Sequence, residues 1–462
     1  MSNHTTIRLF AAALSMTLGI VTNGDETRSV KHTNTASGSQ IIITDLGLLP
    51  GGTTSAGLAI NSEPIIVGLA TDSNLDLQRP FWDANTGAIV GFADNFNPAS
   101  TAIPEHMNES REMGGTEVYG DNVYQGVYWN PTGQAFVLPP LAGVDPDYGA
   151  LHTKAHGINN QGQLAGTGKE GEPNFFTHAA LWPDKDTLAI DLGFLGQGNP
   201  NYSEAYGVND LSHVVGNSAI GSFIHGFLWR DGQMTDLGAL SGQVVSEARA
   251  INNTGLIAGK SNIFPVVWEY DPENPGRAPR IQQLPIPAGF FSATTTAMND
   301  SGDVVGYAGS PNIDSHAVLW RNGMAIDLGV WPGGHYSVAN GINNLGQIVG
   351  TGTVAGDNLD HALMWTVDEG GGGIPCEDLA SFQVRCKPTG GGGHKLQARI
   401  TLTDTSHAGE QVTITIDGGD PIPVTINGDR AQLSVNNPAL GDHTVVLTDP
   451  AGCFPPATPS CD

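Results

Sequence analysis

The chain is short of cations, of charge altogether and of cysteine. Among its 462 residues only 14% are charged, and 19 Lys and Arg stand against 46 Asp and Glu, a formal net charge of −27. A field of that sign repels phosphate, which argues against nucleic acid as a partner and disfavours anionic membrane surfaces. Surplus acid keeps a protein soluble; bound divalent cations are the sharper reading of it. Long apolar runs are also missing. The one candidate, residues 9–21, has 13 residues, where a bilayer span needs roughly 20. Extended helical periodicity is absent, and 62 Gly with 29 Pro argue against a helical bundle. The 39% hydrophobic content is nevertheless too high for a disordered chain.

What is present begins with a polar stretch from Met1 to Arg8, followed by the apolar residues 9–21 and then the small Thr22 and Gly24. That is the shape of a signal peptide. The expectation is a signal peptide over 1–24, a linker over 25–39 and a secreted, extracellular protein that does not insert into membranes. All four cysteines, Cys376, Cys386, Cys453 and Cys461, fall in the last 87 residues. An even number in a small exported segment predicts two disulfides, with three pairings open. A zinc site is the rival, but the spacings fit neither a ribbon nor a finger.

Self-comparison is the informative step. An apolar residue followed by Asn recurs at Ile60-Asn61, Met107-Asn108, Ile158-Asn159, Val208-Asn209, Ile251-Asn252, Met298-Asn299 and Ile342-Asn343. The Asn spacings run 47, 51, 50, 43, 47 and 44. A Trp keeps step with each: Trp82, Trp129, Trp182, Trp229, Trp268, Trp320 and Trp365, four of them in near-copies of H-A-x-L-W. A third marker, D-L-G, stands at Asp45, Asp191, Asp236 and Asp327. Each unit reads as four short strands: an alternating strand, an Asn-x-x-Gly turn, an apolar strand, a strand ending in Trp, and a strand ending in D-L-G. Seven such units predict an all-β, seven-bladed β-propeller over residues 40–369. The chain enters at Gln40 with a fourth strand that lacks its first three, so the N-terminal strand is expected to complete the last blade. Asp378-Leu379-Ala380 is the competing candidate for that place.

The strings Asp327 to Gly334, Gly341 to Gly350 and His225 to Trp229 resemble the extracellular repeat of the HAF family. The resemblance covers roughly residues 41–369 and is weakest in units two and six. It implies secretion and a propeller-like fold, and it implies no established activity.

After a Gly-rich linker at 370–375 the chain reads as a second domain, 376–462. Five alternating segments, Lys395 to Asp404, Gln411 to Asp417, Ile422 to Ile426, Ala431 to Val435 and His443 to Thr448, predict a small disulfide-containing Ig-like β-sandwich.

No nucleophile elbow, zinc-protease helix, Walker loop or dinucleotide fingerprint stands in a fitting context, so neither catalytic residues nor a cofactor are assigned. His178, His225, His316 and His361 recur at one place in separate units and read as structural. Chemistry is expected where the repeats differ. Two residues before each apolar-Asn pair stand Leu58, Glu105, His156, Tyr206, Arg249, Thr296 and Asn340; four before stand Ala56, Ile103, Lys154, Glu204, Glu247, Thr294 and Val338. If first strands border the hub, these form a ring. The candidate ligand-binding residues are therefore Lys154, His156, Glu204, Tyr206, Glu247 and Arg249, with His335 and Tyr336 as a second candidate on the rim. The alternative is that they pack between blades or pair as ions. The leading functional reading is a binding or adhesion scaffold, monomeric, for a glycan or protein ligand. A polysaccharide lyase or hydrolase using His156, Tyr206 and Arg249 is the second, and a cation-dependent structural protein using the acidic loops Asp72 to Asp76 and Asp357 to Asp360 the third.

Overall fold

The computed structural model describes residues 21–22, 28–33, 40–94, 101–119, 123–144, 152–169, 176–196, 202–272, 274, 276–310, 313–356, 359–368, 379–388, 394–403, 411–416, 422–436, 443 and 445–449. Most of the expected signal peptide, the loop residues Asp357 and Asn358, the Gly-rich linker and Cys376, Cys453 and Cys461 lie outside the described residues. The chain divides after Val367 into two compact units.

Among the described residues the first unit is all-β, without helix, and consists of small antiparallel sheets in a propeller-like arrangement. Seven sheets each contain the four strands that one repeat encodes. Their first strands are Ser55–Ile60, Ile103–Met107, Thr153–Ile158, Ser203–Val208, Ser246–Ile251, Ser292–Met298 and Ser337–Ile342. The second strand of each sheet packs on the first strand of the next, and Ile348–Thr353 of the last packs on Ser55–Ile60. Gln40–Asp45 is the fourth strand of the last sheet, beside Asp360–Asp368. Leu379–Pro388, the competing candidate, belongs to another sheet altogether. Arg28–Thr33, expected as linker, is a strand that pairs with Gln40–Asp45. Its Ser29 hydroxyl meets that of Thr44 at 3.0 Å.

The apolar core is divided among the interfaces between sheets. Met113, Val127 and Trp129 pack with Ala59, Val67 and Phe81 of the preceding sheet, and Val215 and Leu228 pack with Ile257, Val266 and Trp268 of the following one. Six of the seven repeated Trp are buried and Trp229 is half-buried. A buried indole usually finds a partner for its N–H. Trp182, Trp268 and Trp320 donate theirs to the carbonyls of Pro139, Leu237 and Pro285, at 2.7, 2.8 and 2.7 Å, in the loops of the preceding sheets.

The Asn of each repeat does two jobs. Its Oδ1 accepts from backbone amides inside its own turn, as Asn159 does from Gln161 and Gln163 at 3.0 and 2.9 Å. Its Nδ2 crosses to the next sheet. Asn108, Asn159, Asn209, Asn252 and Asn299 each donate to the backbone carbonyl of the next Asn, at 2.9, 2.9, 3.0, 3.2 and 3.1 Å. Asn343 donates to Asn61 at 2.9 Å, and Asn61 to Glu109 at 3.4 Å. Filling this position takes a side chain that both accepts and donates, which the acceptor-only carboxylate of Asp cannot do.

Among the described residues the second unit contains two three-stranded sheets. One orders Leu379–Pro388, His394–Leu402 and Arg430–Asn436; the other orders Ile422–Thr425, Gln411–Ile416 and Val445–Asp449. Leu396, Ile400, Val412, Ile414 and Val445 form its core. Cys386 is disulfide-bonded, with its partner outside the described residues.

Candidate functional site

Every first strand contains a β-bulge, and in every one the extra residue is the variable residue two before the apolar-Asn pair. The pairing skips Leu58, Glu105, His156, Tyr206, Arg249, Thr296 and Asn340 in turn. A bulge re-aims a side chain out of the normal alternation. The motif also supplies the room it needs. The bulge drives the first-strand carbonyl against the second strand, where a Cβ on Gly166 would collide with the Lys154 carbonyl oxygen. Glycine stands at that second-strand position in all seven sheets, and a Cβ meets the same carbonyl in each.

The consequence is convergence. All seven bulged residues line one cavity of about 400 Å³, together with Ile103, His106, Thr294 and Tyr307. A single strand from each sheet thus contributes one unlike side chain to a shared hub.

At the centre of the polar side lies His156. Its Nδ1 is 2.6 Å from Glu105 Oε2 and its Nε2 is 3.1 Å from Glu204 Oε1. Burial works against the imidazolium, but the two carboxylates outweigh it and raise the pKa to about 9. His156 is therefore charged at neutral pH. Burial would likewise raise Glu204, yet His156, Lys154 and the Tyr202 hydroxyl hold it well below the usual carboxylate range. The Glu204 Oε2 accepts from both the Tyr202 and the Tyr206 hydroxyls, at 2.7 and 2.8 Å. Burial and the Glu204 charge push the Tyr206 phenol up, so it remains protonated. The Arg249 guanidinium lies 4.4 Å from the Tyr206 ring centroid, and His156 flanks the same ring at 5.2 Å. Arg249 is anchored by Glu247 at 2.8 Å, which also meets Lys260 at 3.3 Å.

Of the sequence candidates, His156, Tyr206 and Arg249 line the hub cavity, and Glu204 and Glu247 hold them from behind. Lys154 faces an adjoining cavity of about 230 Å³, which Tyr202 and Glu204 also line. His335 and Tyr336 stand apart from both, with their backbone amides donating to the Thr353 hydroxyl at 2.6 and 3.3 Å. Two important residues are missing from the candidate set. Glu105 holds the hub position in the second sheet, so its place was visible but its pairing with His156 was not. Tyr202 continues the alternation of Glu204 and Tyr206 by two residues, and that period was the available signal.

The repeated histidines are latches. His178, His225, His316 and His361 contact Asp191, Asp236, Asp327 and Asp45 through Nδ1, at 2.8, 2.9, 3.0 and 2.8 Å. Each Asp also accepts from the Gly amide of its D-L-G. In the loop Asp72 to Asp76, the Asp72 carboxylate accepts from the Asn74 and Asp76 amides at 2.8 and 3.1 Å, closing a turn. Among the described residues no group of three or more His, Cys, Asp or Glu side chains is placed so that it could hold a metal ion.

No family model and no curated protein matches the chain. Among solved structures, an acylaminoacyl peptidase from Pyrococcus horikoshii is 12% identical with a TM-score of 0.30, covering 81% of this chain and 56% of its own. A post-proline cleaving enzyme from Rickettsia typhi is 8% identical with a TM-score of 0.38, covering 77% and 58%. The chain thus spans less than two thirds of either enzyme. A triple-arginine mutant of AofleA from Arthrobotrys oligospora is 12% identical with a TM-score of 0.33, covering 86% and 92%. At TM-scores this low none of the three bears on what this chain does.

Proposed function

We propose that residues 40–369 are a seven-bladed β-propeller, that 376–462 are a small Ig-like sandwich, and that the protein is a secreted binding scaffold whose hub takes a glycan. The observation that carries this reading is the convergence of seven unlike side chains, each on its own bulge, into one cavity of about 400 Å³. A cavity of that size suits a ring-sized ligand, whereas a stable protein partner needs roughly 800 Å² of surface on each side. The lining combines an aromatic face at Tyr206 with hydrogen-bonding groups at Glu105, Arg249, Thr296 and Asn340, the mixture that hydroxyl-bearing rings require.

The electrostatics favour recognition over proton transfer. A general base must be unprotonated near working pH. His156 has carboxylates on both nitrogens, and the Tyr206 hydroxyl donates to Glu204. His156, Glu204 and Tyr206 are thus matched to one another, while His106, which also lines the cavity, has its pKa lowered by burial. Titration of the full chain on a glycan array, with wild type and Tyr206→Ala in parallel, tests the reading. Loss of a specific glycan signal by at least about tenfold in the variant is expected. A rise in ultraviolet absorbance when wild type meets a uronate polymer would replace binding with eliminative cleavage.

A further inference from the structure

The adjoining cavity beside Lys154 has a character of its own. Strand register places its groups on one face of the third sheet: Lys154 is directly opposite Thr167, and Lys169 is directly opposite Thr177. All four line the cavity of about 230 Å³. Two ammonium groups and two hydroxyls thus share one small space in a chain that has 19 cationic side chains against 46 acidic ones. That concentration runs against the sign of the whole molecule.

The only carboxylate lining this cavity among the described residues is Glu204, and it is already engaged. It accepts from His156, Tyr202 and Tyr206, and its contact with Lys154 Nζ is long, at 3.5 Å. Lys154 also stands 4.5 Å over the Tyr124 ring, which fixes the ammonium without using its N–H donors. Lys169 makes no ion pair among the described residues. Glu204 lines this cavity and is hydrogen-bonded to His156 and Tyr206, which line the hub, as well as to Tyr202. Both cavities lie toward the ends of the sheets where the first strands begin, as Ile103 and Thr294 in one and Lys154 in the other show.

We infer that the Lys154–Lys169 cavity is an oxyanion subsite, and that the hub ligand is an acidic oligosaccharide whose carboxylate or sulfate group enters it. This rests on the glycan-binding reading of the hub and adds the charge of the ligand. Ammonium and hydroxyl donors around an oxyanion form charge-assisted hydrogen bonds, roughly twice as strong as neutral ones.

The test is calorimetric titration of the full chain with matched oligosaccharides: sulfated, uronate-bearing, and the desulfated and carboxyl-reduced forms of each, at low and high salt. Wild type should bind an acidic form more tightly than its neutral counterpart, with affinity falling as salt rises. Lys169→Gln should weaken acidic binding about tenfold, flatten the salt dependence and leave neutral binding unchanged, and Lys169→Arg should restore the acidic preference. Whether desulfation or carboxyl reduction removes that preference identifies the group. Equal affinity for acidic and neutral forms, or a Lys169→Gln protein indistinguishable from wild type, overturns the subsite while leaving the hub intact. Unchanged binding in Tyr206→Ala, or no binding of any saccharide by wild type, overturns the hub reading itself.

Discussion

The two ends of the same seven strands obey opposite rules. At the Asn end the residues are alike, and each side chain clips one sheet to the next. Two residues earlier, at the bulge, no two sheets carry the same side chain: Leu58, Glu105, His156, Tyr206, Arg249, Thr296 and Asn340 face one cavity. Repetition holds the frame, and variation is confined to the positions the bulge turns inward. The frame repeats its hydrogen bonds from sheet to sheet, whereas the variable positions make individual ones: Thr296 donates to the Ala339 carbonyl at 2.7 Å and Asn340 to the Gly57 carbonyl at 2.8 Å.

The sharpest way to break this contrast is to fill the glycine opposite a bulge. Gly166→Ala would drive a methyl into the Lys154 carbonyl, and a loss of about 3 kcal/mol or more is expected by denaturant titration. An Asn-end substitution comes next. Asn209→Ala removes acceptors for the Leu211 and His213 amides and the donor to Asn252, at an expected cost of about 2–3 kcal/mol; Asn209→Asp keeps the acceptor and should lose less. A bulge substitution should instead show itself in pH dependence. His156 has its pKa raised from 6.5 to about 9, so the folded state holds this proton more tightly than the unfolded chain. Its stabilisation, about 3 kcal/mol, is complete below pH 6.5 and lost as pH rises through about 9. The melting temperature of His156→Gln should therefore fall less steeply than wild type across that range. The smallest effect belongs to a partly exposed latch: His225→Ala should cost no more than about 1 kcal/mol. If Tyr206→Ala destabilised the fold as much as Asn209→Ala, the distinction between frame and hub would collapse.

Much of this was legible in the sequence because unlike residues become conspicuous once seven copies are aligned. His156, Tyr206 and Arg249 could be placed on one ring from their offset to the Asn alone. The bulge that aims them was not legible as such, although its requirement, the last Gly of each G-I-N-N-x-G-x-x-x-G, was in plain view. Pairings across about fifty residues, such as His156 with Glu105, depend on the separation of neighbouring sheets, which local periodicity does not encode. His335 and Tyr336 drew attention by following two glycines, yet that placement serves a turn held by Thr353. Arg28–Thr33, inside the expected linker, extends a sheet edge instead.

The union of Gln40–Asp45 with Asp360–Asp368, latched by Asp45 and His361, has a kinetic consequence. A ribosome makes the earlier strand more than three hundred residues before its neighbour exists, so that edge must wait until the partner strand is made. Contacts so distant in sequence are slow to form. Removing Gln40–Asp45 would leave Asp360–Asp368 as a bare margin open to pairing with another chain, so a shortened protein should reveal itself by self-association as well as by weaker folding.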